Sequence, residues 1–307
     1  MVKYLSMTKV AMIGAGEIGR AIGKILASAG HKVTYWDKNE SLIFDMGEKC
    51  LSLPEALAEA ETVFFCVPSW SLGEALAFTA PYFKKGTVAV SVTKGIGENN
   101  KLLVDEALKK ALPTGAPTVV LSGAMIAEEL LAGHGGMAVA ASPNKKAAGQ
   151  VADLFADTSI KVTIVADARG VAAAGVLKNI YALSLGIADG LGWGRNEQGF
   201  LMAQALQEMS KLMVWLGGKK ATLFEPAILA DFFATSTSKD SANKQAGIEL
   251  AKHGSALIKS ESVASLPALV KIVGRDKVKK LPILFTLGRV VLGKIEAEKA
   301  FEDLKKL

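Results

Sequence analysis

Over the first 166 residues, short apolar runs rich in valine and isoleucine alternate with helix-length amphipathic stretches. The runs are KVAMIG (9–14), KVTYWD (32–37), TVFFCV (62–67), TVAVSV (87–92), TVVLSG (118–123), MAVAAS (137–142) and KVTIVA (161–166). Near-continuous apolar strands need cover on both faces, and strands that alternate with helices build a parallel, doubly wound sheet. The pattern predicts an α/β fold with an N-terminal Rossmann-type sheet. After Asp167 the strand pattern stops, and the remaining 140 residues read as helices. The chain therefore divides into an α/β domain over 1–168 and an all-α domain over 169–307. The cleft between two domains is the expected site.

The first run opens into GAGEIG, with Gly14, Gly16 and Gly19. A lone G-x-G-x-x-G says little. Here a strand precedes it, RAIGKILASAG continues it as a helix, and the second strand ends in Asp37, 21 residues beyond Gly16. That spacing puts an acid at the ribose of a bound dinucleotide. Gly14 permits the tight turn, Gly16 lets the backbone approach a pyrophosphate, and Gly19 lets the helix pack on the sheet. The helix start at Glu17 and Ile18 turns unpaired N–H groups and a positive dipole end toward the phosphates. The Asp37 carboxylate can accept from a ribose 2′-hydroxyl and repels a 2′-phosphate, so NAD(H) is expected over NADP(H).

The segment from Val171 to Leu191 is apolar around its whole circumference, the mark of a buried helix. Small residues at Ala172, Ala173, Ala174 and Gly175 would let a neighbouring backbone come close. Yet Lys178 and Asn179 sit inside it. Snorkelling explains the lysine poorly, because it lies about three helical turns from either charged flank. Asp189 is nearly in phase but about 16 Å along the axis, too far to be its direct partner. A desolvated amine loses affinity for its proton, which moves a lysine toward acid–base work. A carbonyl being reduced by hydride needs such a proton donor, so Lys178 is the candidate catalytic residue.

At these residues the sequence resembles the NAD-dependent glycerol-3-phosphate dehydrogenase family, within the 6-phosphogluconate dehydrogenase-like two-domain superfamily. The resemblance covers essentially the whole chain and is most specific in GVAAAGVLKNIYALSLGIADGLGWGRNEQGFLMAQALQEM (170–209). VPSWSL (67–72), SVTKGI (91–96) and SGAMIAEEL (122–130) follow in the family's order. The resemblance implies reduction of dihydroxyacetone phosphate to glycerol 3-phosphate, and the reverse, with Lys178 as proton donor or acceptor. It implies substrate contacts from Lys94, Gly123, Asn179, Asp231, Thr235, Ser241 and Asn243. It adds Pro68, Ala127 and Glu261 to the cofactor contacts.

Two departures stand out. The family has an arginine between the residues matched by Ser241 and Asn243, where this chain has Ala242. Alanine cannot replace the bidentate grip of a guanidinium on phosphate, and Lys239 or Lys244 would supply only a point charge. The segment between Asp37 and LPEALAEAETVFF is also short for the family, which trims a surface helix. Ala242 keeps two alternatives open: a related dehydrogenase of small hydroxy or keto acids, and a non-catalytic NAD-binding homologue.

Composition changes this picture little. Half of the 307 residues are hydrophobic, enough for a well-filled core. Net charge is +6; from Lys271 onward ten Lys or Arg oppose five Asp or Glu, so the excess is C-terminal. No aromatic interleaving accompanies it, so a solvated helical face is expected rather than a nucleic-acid surface. Cys50 and Cys66 and the three histidines show no metal-ligand spacing, and no metal is expected. Tyr181 and Trp193 read as core aromatics. Charges and glycines interrupt the long apolar stretches, and the N-terminus lacks a signal-peptide pattern. A cytoplasmic protein acting on a small molecule, without a membrane span and as a possible homodimer, is the expectation.

Overall fold

A computed structural model describes residues 7–46, 51–97 and 101–306. Cys50 lies outside the described residues. The first half runs β1 (Lys9–Ile13), α1 (Glu17–Ser28), β2 (Lys32–Trp36), α2 (Ser41–Phe44), α3 (Leu53–Leu57), β3 (Thr62–Phe65), α4 (Ser69–Thr79), β4 (Val88–Ser91), α5 (Val104–Ala111), β5 (Thr118–Ala124), α6 (Ala127–Leu131), β6 (Gly136–Ala141), α7 (Lys145–Asp153) and β7 (Ile160–Val165). Each apolar run in the sequence is a strand.

The strands form one seven-stranded sheet in the order β2-β1-β3-β4-β5-β6-β7. The central strands are buried residue by residue, as in β3 and β4, which matches their unbroken apolar sequence. Pairing is parallel from β2 through β5, but β6 runs antiparallel to β5, with Val120 opposite Ala141 and Gly123 opposite Ala138. This corrects the expectation of a wholly parallel sheet. The reason is the connection. α6 has five residues, about 7.5 Å of helix, and cannot carry the chain back along a strand of about 20 Å. The longer α7 crossover then restores a parallel β6–β7 pair.

The second half is helical: α8 (Ala168–Gly190), α9 (Arg195–Trp215), α10 (Pro226–Thr237), α11 (Ala242–His253), α12 (Glu261–Val273), α13 (Arg275–Val278), α14 (Pro282–Val291) and α15 (Ala297–Leu304). Asp167 caps α8, accepting from the Gly170 N–H at 2.9 Å and from the Thr222 hydroxyl at 2.6 Å. Lys178, Gly175 and Gly186 interrupt the apolar run of α8, yet by length and composition the helix could still cross a membrane. Its most apolar stretch is wholly buried inside the protein, against α9, α10, α11, α12 and β5. It is the axle of the helical half.

A neighbouring backbone comes close to α8 at Gly186, where a Cβ would run into the Lys244 carbonyl, and across from it at Gly247, where one would run into the Leu183 carbonyl. At Gly175 the near neighbour is instead the Lys94 side chain, 3.3 Å from where a Cβ would stand.

One buried acid ties three helices together. Glu208 on α9 accepts from the Tyr181 hydroxyl of α8 at 2.7 Å and from the Ile283 and Leu284 N–H groups of α14 at 2.8 and 3.0 Å. It therefore caps α14 from outside. Burial raises the Glu208 pKa against these three donors. Removing the acceptor leaves three buried donors unpaired, whereas removing the phenol leaves the cap intact. Glu208→Ala is expected to cost about 3 kcal/mol and Tyr181→Phe about 1 kcal/mol, read as shifts in urea unfolding. Equal losses would contradict the cap.

Candidate active site

The carboxyl ends of the parallel strands deliver the candidate residues to one edge, where α/β sheets bind ligands. Gly14 follows β1, Asp37 follows β2, Pro68 follows β3, Lys94 follows β4, and Gly123 sits near the end of β5. Gly14 has φ +103°, and a Cβ there would stand 2.6 Å from the Cys66 carbonyl oxygen. A Cβ on Gly19 would collide with the Gly14 carbonyl, while nothing lies within 4 Å of one on Gly16. Gly14 and Gly19 thus fold the turn and seat the helix, and Gly16 leaves the start of α1 open. No side chain caps that start, and Glu17 is exposed there beside half-buried Ile18.

Asp37 fixes this loop, accepting from the Ala15 N–H at 2.8 Å through one oxygen and from the Asn39 N–H at 2.8 Å through the other. Each oxygen keeps a lone pair for a ribose hydroxyl. Arg20, which the sequence did not single out, clamps the loop from behind through the Ala15 and Leu42 carbonyls at 2.7 and 2.9 Å. Beside it opens a cleft lined by Gly14, Trp36, Asp37, Pro68, Ser71 and Phe78. An uncapped helix start, a backbone cradle and an acid over an apolar cleft fit a dinucleotide.

The second half of the site is a carboxylate between two ammonium groups. Lys178 is 7% exposed and Asp231 5%. Asp231 meets Lys178 Nζ at 3.0 Å through Oδ1 and Lys94 Nζ at 2.6 Å through Oδ2. Lys178 also donates to Thr235 Oγ1 at 2.7 Å, and Lys94 to the Gly123 carbonyl at 2.8 Å. Asp231 and Thr235 stand four apart on α10, hence on one face. Two of the three Lys178 protons are therefore held, and the third has no hydrogen-bond partner among the described residues. Burial lowers the Lys178 pKa to about 8, with the nearby Lys94 charge adding to that and Asp231 opposing it. Burial works to raise the Asp231 pKa, but the two lysines outweigh it and keep the carboxylate ionised below its ordinary value. The cluster carries an amine that can change protonation near neutral pH, beside an acid that does not.

Asn179 and Asn243 brace this cluster. Asn179 Nδ2 donates to the Lys94 carbonyl at 2.8 Å, and Asn243 Nδ2 donates to Asn179 Oδ1 at 3.0 Å. The Ser262 N–H in turn donates to Asn243 Oδ1 at 2.9 Å. Glu261 accepts from the Ser69 N–H and hydroxyl at 2.8 and 2.6 Å. Ser241 caps α11 through the Lys244 N–H at 3.3 Å, and Ala242 is exposed at its first turn. Lys244 is not the spare charge the sequence offered; its ammonium is buried against Asp189 at 3.1 Å. Lys239 is exposed. Ala127 begins α6 within the sheet core, with no contact to the lysine cluster among the bonds described.

Sequence reasoning missed Arg20, the Lys244–Asp189 pair, the Glu208 cap and the Ser69 partner of Glu261. The first signals available were a basic residue one turn into a nucleotide-binding helix and an acid in the middle of the apolar α9.

Comparison with known proteins agrees over both halves. Residues 9–51 and 48–148 match the model of the NAD-dependent glycerol-3-phosphate dehydrogenase N-terminus, and residues 167–302 match that of its C-terminus. A glycerol-3-phosphate dehydrogenase [NAD(P)+] of Bacillus velezensis is 34% identical over 97% of this chain and 94% of its own. One of Clostridium perfringens is 32% identical over 97% of this chain and 88% of its own. The crystal structure of glycerol-3-phosphate dehydrogenase from Coxiella burnetii shares the fold at a TM-score of 0.90 and 24% identity, covering 98% of this chain and 99% of that one. The chain belongs to the NAD-dependent glycerol-3-phosphate dehydrogenase family.

Proposed function

We propose that this protein interconverts dihydroxyacetone phosphate and glycerol 3-phosphate with NAD(H), and that Lys178 moves the proton. The observation that carries the reading is the buried Lys178–Asp231–Lys94 cluster, at the same sheet edge as the glycine loop. Bound NADH supplies the hydride to the carbonyl carbon. The oxygen then develops negative charge, and the Lys178 ammonium gives it a proton. Asp231 and Thr235 hold the amine in place throughout. Lys94 adds a second positive charge near the developing alkoxide, which a dry site makes effective. In the reverse direction the neutral amine accepts the hydroxyl proton. The start of α11, capped by Ser241 and flanked by exposed Lys239, is the proposed seat of the phosphate.

Lys178→Ala should reduce turnover about 10²- to 10⁴-fold while NADH affinity stays near wild type, because Lys94 still pairs with Asp231. The pH dependence follows from the proton's direction. Reduction needs the ammonium, so its kcat/KM falls as pH rises through about 8; oxidation needs the amine, so its kcat/KM rises through the same range. A variant with normal rates, or profiles flat from pH 7 to 9, would remove Lys178 from the chemistry.

Cofactor choice rests on Asp37. A 2′-phosphate would bring like charge against a carboxylate already fixed by two backbone donors, so kcat/KM with NADH should exceed that with NADPH by about tenfold or more. Equal efficiency with NADPH would contradict this.

At the phosphate, Ala242 leaves α11 without a planar cation. Dihydroxyacetone phosphate should still outperform unphosphorylated ketones and small keto acids in NADH oxidation, and Ala242→Arg should lower its KM about tenfold. A keto acid as the better substrate would turn the reading to a hydroxy-acid dehydrogenase.

A further inference from the structure

The first turn of α4 begins with Ser69, beside the dinucleotide cleft that Pro68 and Ser71 line. Pro68 offers no capping side chain, and among the described residues no side chain of the same half caps it. The cap comes from the start of α12, 192 residues away, where Glu261 accepts from both the N–H and the hydroxyl of Ser69. A second contact runs alongside, with Lys259 Nζ 4.2 Å over the Trp70 ring. The room for Glu261 is made by Gly95, where a Cβ would strike its carboxylate. Next to it the Ile96 N–H donates to Ser265 Oγ at 3.0 Å. The next residue, Ser262, carries the connection on by its N–H through Asn243 and Asn179 to the Lys94 carbonyl, and the Lys94 ammonium pairs with Asp231, which holds Lys178. The line between nucleotide cleft and proton carrier is unbroken.

We propose that Glu261 is a positioning residue that latches the nucleotide-binding helix α4 to the Asn243–Asn179–Lys94 brace, so that occupation of the cofactor cleft and the placement of Lys178 are set by one contact. The proposal rests on the dehydrogenase reading above and adds to it a role that is mechanical as well as electrostatic. The groups that face Lys178 are Asp231, Lys94 and, farther off, Glu261; those that face Glu261 are Ser69, Lys259 and Lys178. The negative charge of Glu261 favours the ammonium form of Lys178.

The test uses the full-length protein as wild type, Glu261→Ala, Glu261→Gln and Ser69→Ala. NADH affinity is read by fluorescence titration, kcat and KM by NADH oxidation with dihydroxyacetone phosphate, and folding by urea midpoints. Glu261→Ala should lower kcat about tenfold and weaken NADH binding together, since it frees α4 and the brace at once. Glu261→Gln still accepts from the Ser69 N–H, so it should hold NADH affinity near wild type. It removes the charge, so the alkaline fall in reductive kcat/KM should move to lower pH. Ser69→Ala should lie between wild type and Glu261→Ala. Wild-type kcat and NADH affinity in Glu261→Ala would overturn the latch, as would wild-type values of both in Ser69→Ala should the Glu261→Ala variant unfold. A wild type inactive on dihydroxyacetone phosphate would sink the substrate reading instead. The latch would then stand or fall on whether Glu261→Ala weakens NADH binding.

Discussion

The site depends on one carboxylate held between two amines. Asp231 is buried, and an isolated buried charge is costly. Here it is compensated twice, by Lys178 at 3.0 Å and Lys94 at 2.6 Å, so the cluster keeps one net positive charge in a dry place. Among the described residues, only the more distant Glu261 opposes that surplus. The surplus suits a substrate oxygen on which negative charge grows. The same desolvation that makes the cluster expensive also loosens the Lys178 proton. Function and cost share a cause.

The fold is arranged to hold this cluster still. Lys178 stands on the most enclosed helix of the protein, and α10 supplies two partners from one face. Lys94 comes from the end of a sheet strand and so belongs to the nucleotide-binding half. The ion pair thereby joins the two halves at the place where hydride and proton must meet. The asparagine brace and the Glu261 contact with Ser69 add a second, neutral seam beside it. The glycine contacts between α8 and α11 let the start of α11 sit close to the axis of the site.

Much of this was legible in the chain. The strands, the glycine turn and the acid after β2 follow from period and spacing, which are local properties. Lys178 was legible because a charge in an all-round apolar helix has few bland explanations. The direction of β6 was not read, because it turns on how short α6 is rather than on the strand's own sequence. The membrane-like hydropathy of α8 is an average over a long stretch, in which a single buried lysine counts for little. The pairing of Lys244 with Asp189 and of Glu261 with Ser69 join residues far apart in sequence. Nothing in either segment alone marks the partner. Ala242 was legible only as a difference from a resembling family, and its exposure at the start of α11 shows what the missing cation leaves open.

All of this turns on an amine at position 178 whose burial beside Asp231 and Lys94 brings its titration within reach of neutral pH. Lysine-selective NMR of the folded protein, with Lys178→Arg to assign the signal, measures this directly. A lysine signal should titrate near pH 8 and be absent from the arginine variant. Titration of every lysine above about pH 10, the ordinary range, would contradict it.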